Sequence, residues 1–109
     1  MNIQENLKRG TIELILLTLL QSDDKYGYQL AGELFEQSQG LYELKETTMY
    51  PTLYRLQKNG YLSDQKVKVG PKRTRIYYHL TDEGKAYLAK LKENYLTITK
   101  AIQLVLEQN

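Results

Sequence analysis

The chain has 109 residues, 41% hydrophobic content and no cysteine. That length suits one domain with a modest core, and the missing cysteines exclude disulfides, thiol catalysis and cysteine–metal sites. Net charge is only +2, but seven cations and one anion fall between Thr47 and Leu80, against eight and twelve in the rest; a basic middle of this kind is the footprint of a nucleic-acid face, or of a solvated basic surface.

The first helix is expected over Glu5 to Gln21. Its run "IELILLTLL" (Ile12 to Leu20) is apolar most of the way round, which predicts burial on several sides. The run is too short to cross a bilayer and carries Glu13, no secretory signal pattern is expected ahead of it, and the missing cysteines make a reducing cytoplasm the plain expectation. Ser22-Asp23-Asp24 should break this helix and cap the next. That second helix is expected from Tyr26 to Ser38, with Leu30, Leu34 and Phe35 inward, Glu33 and Glu36 outward and Gly40 as its stop. Leu41 and Leu44 should fold under the domain.

The third helix is expected from Thr47 to just before Gly60. Pro51 would then lie in or near the first turn, where no backbone hydrogen bond is lost. At about 100° per residue, Met49, Leu53, Leu56 and Gly60 share one face and form the core stripe. Thr47, Thr48, Pro51, Tyr54, Arg55 and Lys58 lie opposite, with Tyr50 and Thr52 on the flanks. The outer face is therefore threonine, tyrosine and cation.

Two extended segments follow, Tyr61 to Val69 and Arg73 to Thr81, around a turn at Gly70-Pro71-Lys72. Ile76, Tyr78 and Leu80 alternate with Arg75, Tyr77 and His79, the period of a strand with one buried face. Thr81 should cap a last helix in which Leu88, Leu91, Tyr95, Ile98, Ile102 and Val105 recur at spacings of three and four. Such a seam could pack on the same chain, but three helices and a hairpin already make a compact unit, so the favoured partner is another helix, most simply its own copy in a second subunit. The expected fold is mainly α with a β-hairpin: a winged helix-turn-helix over residues 1–80 and a dimerisation helix over 81–109, forming one compact unit.

In that arrangement the third helix would enter the major groove and the hairpin would act as the wing. The expected DNA-facing residues are Thr47, Thr48, Tyr50, Thr52, Tyr54, Arg55 and Lys58 on the helix, with Lys72, Arg73 and Arg75 on the wing. Two roles stand for Tyr50, DNA contact or packing on the second helix, and two for Arg75, DNA contact or an internal ion pair. Thr47 and Thr48 can cap the helix or donate to a phosphate. Tyr77 and Tyr78 read as packing residues. His79, the only histidine, has no second ligand near it and reads as a strand residue, not a metal ligand. Tyr95 interrupts an aliphatic seam; it is either an ordinary interface tyrosine or one half of an aromatic pair that holds a planar hydrophobic effector. Glycine-rich phosphate loops and set-apart carboxylate pairs are missing, so neither an enzyme nor a cofactor is expected. The competing function is a protein-interaction module whose basic face meets an acidic partner.

Four stretches in order, "RGTIELILLTLL", "YGYQL", "TTMYPTLYRLQKNGYL" and "RIYYHLTDEGKAYL", resemble the PadR-type winged-helix transcriptional regulators. Tyr50-Pro51 with Leu53, Arg55-Leu56 and Gly60 is the most specific piece, followed by Tyr77-Tyr78, Leu80-Thr81 and Gly84. The resemblance covers Lys8 to Leu91 and matches the family's short branch, which has a single C-terminal helix. It implies a homodimeric, cytoplasmic repressor on a palindromic operator, released by a small molecule and dimerised by its last helix with its first. Thr47 replaces a glycine frequent in the family, and Ile76 and His79 stand where basic residues are common.

Overall fold

A computed structural model describes residues 2–109. It contains α1 (Ile3–Lys8), α2 (Ile12–Leu19), β1 (Lys25–Tyr26), α3 (Gly27–Gln37), α4 (Glu46–Lys58), β2 (Leu62–Gly70), β3 (Arg73–Leu80) and α5 (Asp82–Gln108). Leucines from α2, α3, α4 and α5 close the core: Leu16, Leu17, Leu30, Leu53, Leu56 and Leu88 are fully buried together with Met49. The strands form one antiparallel sheet in the order β1-β3-β2. The architecture is a winged helix-turn-helix, with α3 and α4 as the helix pair, β2–β3 as the wing, and a long helix after it.

The expected first helix is broken. Gly10 takes a left-handed φ of +87°, and the Thr11 N–H returns to the Lys8 carbonyl at 2.8 Å, so α1 and α2 are separate. The apolar run begins only at Ile12, and the periodicity expected through Leu7 and Thr11 spanned the Gly10 kink without registering it. α1 buries no residue, and Leu7 is exposed. It is held by Lys8 Nζ donating to the Glu43 carbonyl at 2.7 Å, while Thr11 beyond the kink bonds the Tyr42 hydroxyl at 2.8 Å.

The Ser22-Asp23-Asp24 segment does not cap α3, whose N-cap is Tyr26 without a side-chain bond. Its Ser22 and Asp23 instead hold Lys25, which is 4% exposed. The Lys25 ammonium donates to the Leu19 carbonyl at 2.5 Å, Ser22 Oγ at 3.1 Å and Asp23 Oδ1 at 2.7 Å. A buried cation at the end of α2 thus meets carbonyl and carboxylate partners, as desolvation demands. The same lysine holds Asp23 below the usual carboxylate range. Glu33, expected outward, turns one oxygen into the protein, 3.7 Å from Lys25.

β1 is too short to show any alternation, which is why the sequence pattern missed it. Its register, Lys25 to Tyr78 and Tyr26 to Tyr77, brings Tyr26 edge-on to Tyr77 at 5.4 Å. Phe35 is half-exposed, and Leu41 is 81% exposed while Leu44 is buried, so only one of the two connection leucines folds under.

α4 ends in paired carbonyl-capping bonds: Tyr61 N–H to the Leu56 carbonyl at 2.9 Å and Gly60 N–H to Gln57 at 3.0 Å. Gly60 supplies the φ of +83° this geometry needs. α5 then starts as expected, with Thr81 Oγ1 accepting from the Gly84 N–H at 3.0 Å. Gly84 lies against the Tyr61 carbonyl, where a Cβ would overlap the oxygen. The helix runs 27 residues, about 40 Å. Only its first third is tied to the core, through Gly84 and Leu88 with Leu91 beside them. A radius of gyration of 15.6 Å, against about 13 Å for a compact chain of this length, reflects the projecting remainder.

Candidate nucleic-acid interface

Two neighbouring surfaces carry the basic middle of the sequence: the outward side of α4 and the wing. α4 begins at Glu46, one residue earlier than expected, with Lys45 as N-cap. Thr47 and Thr48 therefore lie inside the first turn with exposed side chains and do not cap it. Pro51 is the sixth helical residue, past the first turn. Its missing N–H leaves the Thr47 carbonyl without an intrahelical donor, yet the helix continues because Thr47 is exposed and water can serve it.

The helical wheel separates the other positions. Tyr54 and Lys58 point away from the Met49–Leu53–Leu56 stripe and are exposed. Thr52, expected among the DNA-facing residues, is 4% exposed and corrects that placement. It lies only about 60° from Met49, and its hydroxyl donates to the Thr48 carbonyl at 2.9 Å. Arg55 is on the same flank as Thr52. Its Nε makes an ion pair with Glu13 of α2 at 3.3 Å, and the other Glu13 oxygen accepts the Tyr87 hydroxyl of α5 at 2.5 Å. The expected outward guanidinium is instead drawn toward α2, though more than half of the side chain remains exposed.

Tyr50 lies on the opposite flank. It is partly exposed, and its hydroxyl end rests on Gly27, where any Cβ would overlap it. Partial burial, with Glu46 nearby, pushes its phenol above the ordinary range. Packing against α3 and outward display thus coexist in this residue.

In the wing, β2 and β3 pair from Leu62–Leu80 to Gly70–Arg73, with a bulge between Lys68 and Gly70. Pro71 and Lys72 make the tip, and Lys66, Lys68, Lys72 and Arg73 are exposed. Among the described residues Arg75 forms no ion pair; its guanidinium lies over the Tyr26 ring at 4.3 Å. Tyr78 is buried and Tyr77 half-buried, in the packing roles expected. His79 is bonded to Asp24 at 2.7 Å. Among the described residues there is no cluster of histidine and carboxylate that could hold a metal.

On α5, Leu88 corrects the expected dimer seam, because it is 2% exposed and belongs to this chain's own core. Leu91 is half-buried against the same core. Tyr95, Ile98, Ile102 and Val105 are all exposed, together with Leu96, Leu104 and Leu106. Tyr95 and Leu7 line a shallow cavity of about 280 Å³ with Ile15, Leu41 and Tyr42. Among the described residues, no helix is long and apolar enough to cross a membrane.

Comparison with known proteins places this geometry. The chain is similar to a solved transcriptional regulator from Clostridium thermocellum, at 34% identity and a TM-score of 0.85, over 90% of this chain and 95% of that one. It is similar to Bacillus subtilis PadR, solved in complex with operator DNA, at 26% identity and a TM-score of 0.69, over 73% of this chain and 46% of the other. It is 29% identical to the Escherichia coli transcriptional regulator YqjI over 86% of this chain, which spans 44% of that protein. A family model, the transcriptional regulator PadR-like family, matches residues 16–90. That match takes in α3, α4, the wing and the start of α5, and the chain belongs to the PadR-like family of transcriptional regulators.

Proposed function

We propose that this protein is a cytoplasmic, sequence-specific DNA-binding repressor acting as a homodimer. α4 lies in the major groove with Thr47, Thr48 and Tyr54 toward the bases, Lys58 toward the backbone and Tyr50 on the flank within reach of the DNA. Lys72, Arg73 and Arg75 on the wing neutralise flanking phosphates. The observation that carries this reading is the exposed threonine–tyrosine–lysine side of α4 beside an exposed basic wing, in a chain whose remaining charge is acidic. A relative solved on operator DNA supports it.

The homodimer rests on the exposed apolar residues of α5, which a second copy would cover, with α1 alongside. Two-fold symmetry then calls for a palindromic operator. Release would come from a small planar hydrophobic effector held beside Tyr95, where the shallow apolar cavity already opens. Selecting from a pool of random duplexes at near-physiological salt tests the reading. Enrichment of an inverted repeat with half-sites about 34 Å apart is expected. Retention without sequence preference would argue instead for a basic face that meets an acidic protein.

A further inference from the structure

The "YGYQL" motif, Tyr26 to Leu30, opens α3, and Tyr26, Gly27 and Leu30 in it pack against the rest of the domain. Packing does not explain Tyr28, a large aromatic that is 75% exposed at the start of the helix. Tyr28 lies on the rim of an open cleft of about 460 Å³ where α3, α4 and the wing converge. Its other walls include Tyr26, Gly27, Tyr50, Arg73 and Arg75.

Each wall residue is set by a local cause. Gly27 has no side chain, so Tyr50 can lay its hydroxyl end across the start of α3. Tyr26 is held edge-on by Tyr77 and in turn carries the Arg75 guanidinium on its face. A stacked guanidinium keeps its in-plane N–H donors free for another partner. Among the described residues, neither Arg73 nor Arg75 makes an ion pair, and neither the Tyr28 nor the Tyr50 hydroxyl makes a hydrogen bond. No carboxylate lines the cleft. Two guanidinium groups and two phenols with free hydroxyls make a site for a tetrahedral oxyanion, with Glu46 near Tyr50 and Asp64 opposite Tyr78 as carboxylates behind its wall.

We propose that this cleft seats one backbone phosphate of the DNA duplex. Tyr28 and Tyr50 donate from the helix side and Arg75 and Arg73 from the wing side, so the contact locks the angle between recognition helix and wing. The seat rests on the DNA-binding reading above, because the cleft adjoins Tyr50 on the flank of α4. Its consequence is a gain in affinity that is the same for every sequence, with no part in reading bases.

The test uses the operator obtained by selection and a set of the same duplexes, each with one phosphate replaced by a neutral methylphosphonate. Affinities are measured for the wild type, Arg75→Gln and Tyr28→Phe, over a range of salt. Arg75→Gln should lose about tenfold in affinity on operator and unrelated duplex alike, and its salt slope should fall by about one. One methylphosphonate position should weaken the wild type but leave Arg75→Gln unchanged, and Tyr28→Phe should be partly blind to the same position. Tyr28 is exposed, so its variant keeps the test alive if Arg75→Gln unfolds.

Additive losses at every position would overturn the seat while leaving DNA binding by α4 intact. Saturable micromolar binding of inorganic phosphate, with a flat methylphosphonate scan, would assign the cleft to a free anion and overturn it too. A wild type that prefers no duplex would remove the DNA-binding reading first, and the seat with it.

Discussion

Tyr54 and Arg55 are neighbours in sequence and about 100° apart on α4, and that angle sends them to different partners. Tyr54 keeps its ring in solvent, whereas Arg55 is paired with Glu13, which also holds the Tyr87 hydroxyl. Three helices therefore meet at one carboxylate. The bond to Glu13, with some burial, pushes the Tyr87 phenol up to about 12. A phenol whose folded pKa is raised keeps its proton, so its share of stability is full below the ordinary value near 10 and is lost between there and about 12. Ultraviolet titration of the ten tyrosines should show, besides the raised phenols of Tyr42, Tyr50 and Tyr78, a phase near pH 12 that disappears in Tyr87→Phe and moves down in Glu13→Gln. An unchanged late phase in Glu13→Gln would remove the carboxylate as its cause. Gly84 offers a steric prediction at the same scale. Gly84→Ala must push its methyl into the Tyr61 carbonyl, and urea unfolding should show a loss of roughly 1–3 kcal/mol. Residue placements such as Thr52, Arg55 and Leu88 were beyond the sequence, because a helical wheel gives an angle without saying which neighbour arrives at it. Glu13 was visible only as a charge in an apolar run.

At the scale of elements, hydrophobic period carried α3, α4, the wing and α5 close to their observed limits. It failed where a structural event is shorter than a period. The Gly10 kink, the two-residue β1 and the early start of α4 are of that kind. The seam on α5 was legible as a repeat, but its division was not: Leu88 and Leu91 serve the chain's own core, while Tyr95 and the residues after it face solvent. That division predicts a clean separation of folding from association. Ile98→Glu/Ile102→Glu should leave the thermal transition of the winged domain in place, and sedimentation should show a monomer. A dimer of undiminished affinity would move the interface elsewhere. Tyr95→Ala should retain the dimer and weaken release of DNA by effector; unchanged release would leave Tyr95 as a plain interface residue.

For the whole molecule, charge and shape point the same way. The basic excess lies on α4 and the wing, and the projecting part of α5 carries exposed apolar side chains from Leu96 to Leu106. The family was legible because its motifs sit where backbone geometry leaves little choice: Gly60 at a left-handed cap, Gly84 against a carbonyl, and Tyr78 and Leu80 in the core. The cleft that joins α3 to the wing was not legible, because its walls come from three separated stretches and close only in the fold. The central claim is that the outward side of α4 holds operator DNA, and the most direct measurement is the affinity of Tyr54→Ala/Lys58→Ala for the selected duplex. Both side chains are exposed, so the variant should unfold at the wild-type temperature while operator preference over unrelated DNA falls at least tenfold. Wild-type preference in the folded variant would contradict the account.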